Sequence, residues 1–150
     1  MTVLKNSIHI QAPPERVWEA LATLDALHEY DPGIAKSALR TEQRTGVGAD
    51  RHCDIKAGGW FRERVTVWAP AAALEFTLYD CTLPVKRLRH HYTLRVENGG
   101  TRVDQTQDYA LKYGLLGALL DTLVVKRKWD AGVKGFFAGL KEYVEAGRRS

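Results

Sequence analysis

Two apolar periods succeed each other along this chain, and the place where one gives way to the other divides it. From Val3 to Gln11 apolar and polar residues alternate, with Ile8 and Ile10 on one side and His9 on the other, which predicts a first strand. Ala12-Pro13-Pro14-Glu15 stops it. Proline suits the first turn of a helix and an acid there suits the helix dipole, so a helix is predicted to start here with Val17, Trp18, Leu21 and Leu24 on its apolar face. A second short helical turn, Ala26 to Tyr30, closes at Asp31-Pro32-Gly33. Strand period then returns in Ile34 to Arg44, Asp50 to Lys56, Trp60 to Trp68, Leu74 to Cys81, Val85 to Glu97 and Thr101 to Lys112. The breaks between these runs carry turn residues, the clearest being Asn98-Gly99-Gly100. No helical segment separates the runs, so they predict an antiparallel meander rather than crossover units.

The final stretch, Leu115 to Ala146, has helical period and no proline. Some thirty helical residues span about 45 Å, the width of a small domain. In its second half Trp129, Val133, Phe136, Phe137, Leu140, Tyr143 and Val144 form one stripe, with Lys134, Lys141, Glu142 and Glu145 opposite. The first half is apolar over a wider arc: Leu115, Leu116, Leu119, Leu120, Leu123, Val124 and Val125. Gly132, Gly135 and Gly139 follow one edge. Each glycine weakens a helix by about 1 kcal/mol against alanine, so the three imply either close backbone packing or room left for a ligand.

Composition changes little in this picture. The 150 residues are expected to form a single domain over 1–150, and 45% hydrophobic with 27% charged residues is ordinary for a globular chain. The net charge of +4 is spread, with short clusters at Lys86-Arg87-Leu88-Arg89 and Lys126-Arg127-Lys128. A solvated face accounts for such clusters, and no nucleic-acid partner is expected. Cys53 and Cys81 have neither disulfide-framework nor metal spacing and are expected to be buried free thiols. The amino terminus lacks an apolar signal core and no segment is apolar enough to span a bilayer, so a cytoplasmic protein without stable membrane insertion is expected.

The order of elements, together with IHIQAPPERVWEAL at the front and GVGADRHCDIKAGGWFRERVTVWAPAAALEFTLYD in the middle, resembles the SRPBCC superfamily. This is the START and birch-pollen-allergen-like group, and the polyketide cyclase/dehydrase and lipid-transport branch is the most similar. APPERVWEAL, the GVG turn leading to RERV, the WAP turn and GGTRV carry the resemblance. It implies an α+β helix-grip fold: a curved antiparallel seven-stranded sheet wrapped around a long C-terminal helix, with two short helices between strands 1 and 2. It also implies a cavity between sheet and helix that holds a hydrophobic small molecule.

Alternation predicts what lines that cavity. On Val85 to Glu97, Leu88, Leu94 and Val96 share a side with His90 and Tyr92. On the last strand Val103 and Leu111 fix a face that Gln105, Gln107 and Tyr109 join. Phe61, Val65 and Val67 bring Glu63 with them and send Trp60 and Trp68 outward, and Cys53 and Ile55 point in from their strand. With Tyr30 at the mouth and Leu119 and Leu123 from the helix, these make the candidate ligand-binding set: Tyr30, Cys53, Glu63, His90, Tyr92, Gln105, Gln107, Tyr109, Leu119 and Leu123. The mouth is expected near the short helices and the start of the long one. There Leu115, Leu116, Leu119 and Leu120 would be core, a gate for an apolar ligand, or a contact in a homodimer.

Three accounts of the polar inner residues follow: a self-satisfied network, recognition of a ligand's polar groups, or catalysis by Glu63 or His90. A buried glutamate beside a histidine can relay a proton and a tyrosine can donate to a developing enolate, as an aldol cyclisation with dehydration requires. The leading expectation is a binder of a lipid-like, aromatic or polyketide ligand. A polyketide cyclase/dehydratase, and a protein-interaction module with a vestigial cavity, are the alternatives. No HExxH, paired CxxC, nucleophile-elbow serine or phosphate-binding glycine loop occurs, and no metal or cofactor is expected.

Overall fold

The computed structural model describes residues 2–147 and, within them, the side chains of all but residues 122 and 123. Seven strands form one antiparallel sheet: β1 (Thr2–Ile10), β2 (Ile34–Leu39), β3 (Asp50–Ile55), β4 (Trp60–Ala69), β5 (Ala73–Cys81), β6 (Val85–Glu97) and β7 (Gly100–Leu111). Their order across the sheet is β1-β7-β6-β5-β4-β3-β2. Strands β2 to β7 are a pure meander, and β1 closes the far side against β7. Between β1 and β2 the chain crosses from one edge to the other through α1 (Pro14–Ala22) and a 3₁₀ helix (Leu24–Glu29). Pro14 occupies the first turn of α1, where a missing N–H costs nothing, and Val17, Ala20 and Leu21 are its buried face.

After β7 the backbone reverses at Tyr113 and Gly114, both left-handed, a conformation that glycine adopts without strain. Helix α2 (Gly114–Leu120) then runs through a π-helical turn (Asp121–Val125) into α3 (Lys126–Gly147). Val133, Phe136, Phe137, Leu140 and Val144 of α3 are buried against the sheet, as their spacing predicts. The helix is also tied along β1: Lys141 Nζ donates to the His9 carbonyl at 2.9 Å, the Gln11 N–H to Glu145 Oε2 at 2.9 Å, and Asn6 Nδ2 to Asp130 Oδ1 at 3.0 Å.

Several sequence expectations need correction. The strand predicted over Ile34 to Arg44 stops at Leu39, because the Gln43 amide folds the following loop onto itself by bonding the Thr45 and Val47 carbonyls. Trp68 does not face outward. The pairing of β4 with β5 shifts between Val65 and Val67, and this bulge reverses the alternation. Trp68 then packs edge-on against Trp18 with ring centroids 5.0 Å apart. Val96, predicted inside, is exposed where β6 runs out to its hairpin. Of the three helix glycines, Gly139 is needed for packing, since a methyl group there would overlap the Tyr30 carbonyl oxygen. Gly132 faces open space.

Candidate ligand site on the inner face of the sheet

The site begins with register. His90 of β6 lies between Phe76 of β5 and Gln107 of β7, and Tyr92 lies between Leu74 and Gln105. All six side chains therefore point to the same face, covered by α3 where Phe136 meets the Tyr92 ring at 5.9 Å. On the neighbouring strands Arg51 of β3 pairs directly with Glu63 of β4.

Arg51 and Glu63 form a buried ion pair. Arg51 Nη2 donates to Glu63 Oε2 at 3.1 Å, and Nη1 donates to the Leu24 carbonyl at 3.1 Å, linking the sheet to the 3₁₀ helix. The guanidinium lies over the Phe76 ring at 4.2 Å. Glu63 is 1% exposed. Burial opposes its charge, but Arg51 and then His90 outweigh that, and its pKa is lowered to about 2. Burial likewise works against the Arg51 charge, and Glu63 more than offsets it. Both partners are thus charged near neutrality.

The groups beside this pair are incompletely bonded. His90 Nε2 approaches Glu63 Oε1 at 3.4 Å, too long for a good hydrogen bond. Neither His90 nitrogen, nor Arg51 Nε, Gln105 Oε1 or Gln107 Nε2, has a hydrogen-bond partner, although all are buried. Gln105 Nε2 donates to the Tyr92 hydroxyl at 3.1 Å. Burial and then Glu63 raise the Tyr92 pKa, so that phenol remains a donor. Cys53 is fully buried, and burial pushes its thiol up to about 12, which keeps it neutral and inert.

Tyr109 belongs elsewhere. Its hydroxyl donates to Asp121 Oδ1, Thr2 Oγ1 donates to the other Asp121 oxygen, and its ring stacks on Trp129 at 4.9 Å. It packs with Leu4, Leu78, Val85 and Leu88 in a second apolar cluster. Leu119 is exposed, as are Leu115, Leu116 and Leu120, so this side of α2 is not core; the Leu123 side chain lies outside the described residues. The short helices face the other end of the long helix. There a groove of about 800 Å³ is lined by Arg16, Thr23 and Glu29 on one side and Tyr143 and Gly147 on the other. Tyr30 forms its floor. A file of rings leads inward from it: Tyr143 to Tyr30 at 5.3 Å, Tyr30 to Phe136 at 5.8 Å, Phe136 to Tyr92, and Tyr92 to His90 at 6.4 Å.

Arg51 escapes the sequence reading, although it shares the parity of Cys53 and Ile55 and alternation would have found it. Among the described residues no group of three His, Cys, Asp or Glu side chains is arranged to hold a metal ion, and no helix is long and apolar enough to cross a membrane.

One sheet gripping one long helix is the helix-grip fold, shared with a START superfamily protein from Mycobacterium smegmatis. The chain belongs to the polyketide cyclase/dehydrase and lipid transport family, which matches residues 1–145. An uncharacterized protein of Mycobacterium tuberculosis H37Rv is 23% identical over 145 residues, covering 96% of this chain and 85% of that one. Among solved structures, the protein TTHA0849 from Thermus thermophilus superposes with a TM-score of 0.83 at 23% identity, over 97% of this chain and 99% of the other. The Zhui aromatase/cyclase from Streptomyces sp. R1128 gives 0.76 at 14% identity, over 95% of each chain.

Proposed function

We propose that this protein binds a hydrophobic small molecule, lipid-like, aromatic or polyketide, between the inner face of the sheet and α3. The observation that carries this reading is the row of buried polar atoms without partners on β3, β6 and β7: Arg51 Nε, both His90 nitrogens, Gln105 Oε1 and Gln107 Nε2. Each unsatisfied buried group costs about 1–3 kcal/mol, and a purely structural core would not hold them side by side. Donors and acceptors grouped within aromatic walls suit carbonyl or hydroxyl groups on an otherwise apolar ligand. Tyr30, at the floor of the groove and the outer end of the aromatic file, is the entry residue in this reading.

A second reading is supported by the state of Glu63. A family that includes cyclases raises the question of a base. Glu63, held ionised by Arg51, binds a proton too weakly to serve, which leaves His90, with Nε2 3.4 Å from Glu63 Oε1, as the candidate base. In a cyclisation His90 would remove a proton from the carbon between two carbonyls, the resulting enolate carbon would attack a second carbonyl, and the proton would return to the new alkoxide. Glu63 would stabilise the imidazolium, and Tyr92 would donate to the enolate oxygen.

Titration with a fluorescent hydroxyanthraquinone such as emodin tests the first reading. Wild-type protein is expected to bind it, and Gln107→Leu and His90→Ala should each weaken binding about five- to ten-fold, the loss of one hydrogen bond. Unchanged affinity in both variants would remove the assignment. A poly-β-ketone substrate turned over by wild type and not by His90→Ala would favour the enzyme.

A further inference from the structure

Helix α2 is amphipathic in the reverse sense. Its buried positions are Gly117, where a methyl group would overlap the Lys112 carbonyl, and, one turn on, Asp121, bonded to Tyr109 and Thr2. Its leucines face solvent: Leu115 is 92% exposed, Leu116 61%, Leu119 56% and Leu120 44%. Exposed leucines singly need no explanation, but four on one helical arc form a continuous patch of a kind that soluble surfaces avoid. The charge next to the patch is mainly basic. Lys112 precedes it and Lys126, Arg127 and Lys128 follow it, all exposed. Asp121 is turned inward, and Asp130, one turn beyond Lys126, is held by Lys134 at 2.8 Å and by Asn6.

From this juxtaposition we propose that α2 is a docking surface for an anionic lipid bilayer, lying in the plane of the headgroups with its leucines in the acyl boundary and its flanking lysines and arginine on the phosphates. Charge decides between this occupant and a second copy of the chain. A symmetric contact through the patch would bring two sets of Lys112 and Lys126 to Lys128 together, whereas an anionic surface neutralises them. Seven residues of α2 are too few to cross a bilayer but sufficient to rest on one. The surface lies outside the ligand site, and the proposal stands whether or not that site is occupied.

Cosedimentation with vesicles of phosphatidylcholine, with and without phosphatidylglycerol, is the test. The protein should sediment with the anionic vesicles and stay in solution with the neutral ones, and raised salt should release it. Leu115→Glu with Leu119→Glu should lower partition at least about ten-fold, and so should alanine at Lys126, Arg127 and Lys128. All of these positions are exposed, and circular dichroism should show both variants folded. Equal recovery with neutral and anionic vesicles, no recovery with either, or binding untouched by the paired leucine substitutions would overturn the proposal. So would a dimer in analytical ultracentrifugation that those two substitutions dissolve in a protein that ignores vesicles.

Discussion

Two buried carboxylates sit on the concave side of this sheet, and their surroundings differ. Asp121 accepts one hydroxyl on each oxygen, from Tyr109 and Thr2, so its acceptors are used and the π-helical turn is fastened to β1 and β7. Glu63 is paired with a charge instead, and around that pair Arg51 Nε, His90, Gln105 and Gln107 keep atoms unbonded. A closed polar cluster inside a protein fixes geometry. An open one, held rigid by an ion pair, is equipped to bond something that arrives later.

The comparison can be pressed hardest at Glu63. Glu63→Ala leaves the Arg51 guanidinium buried without its counter-charge and is expected to cost about 3–5 kcal/mol in a urea titration. A loss below about 1 kcal/mol would mean that Arg51 finds other solvation and that the pair is not what makes the open cluster rigid. The same pair answers to acid. Because the Glu63 pKa is lowered on folding to about 2, its contribution is complete above the unfolded value of about 4.5 and disappears as pH falls through about 2. Thermal melts between pH 5 and pH 2 should show this decline, and Glu63→Gln should flatten it. At the closed cluster, Asp121→Ala should cost about 1–3 kcal/mol, the price of leaving the Tyr109 hydroxyl unpaired. Hydrogen exchange should place the loosening in α2 and the π-helical turn. The smallest effect belongs to His90→Gln, which breaks no hydrogen bond in the structure and should change stability by about 1 kcal/mol or less. A large loss there would make His90 part of the scaffold rather than part of the open cluster.

Much of this arrangement is legible in the sequence, for identifiable reasons. Strand alternation on β6 and β7 places His90, Tyr92, Gln105, Gln107 and Tyr109 inside because both strands keep one register from Arg87 to Glu97. Alternation fails on β4 past Val65, where a bulge that leaves no mark in the residue types turns Trp68 inward. Arg51 was readable from parity, but burial of an arginine becomes sensible only once Glu63 is known to be its cross-strand neighbour. Periodicity recognised the leucines of α2 and left open what covers them. That depends on Gly117 and Asp121, two residues with no apolar signal, which hold the helix with its opposite side to the sheet. Tyr109 points inward as alternation requires, and its separation from His90 follows from the reach of the terminal helix, which brings Asp121 and Trp129 over that end of the sheet.

The sheet order has a consequence for synthesis. Strand β1 precedes the other six strands in the chain, yet its neighbour in the sheet is β7, with Ile10 paired to Thr101 and Thr2 to Tyr109. At a translation rate of about 5–20 residues per second, β1 emerges from the ribosome roughly 5–20 s before the strand it must join. The meander from β2 to β6 can form hairpin by hairpin during that interval, since each strand has its partner next in line. Closing the sheet at its β1 edge, and with it docking α3 along β1, is therefore a late, long-range event that must wait for nearly the whole chain.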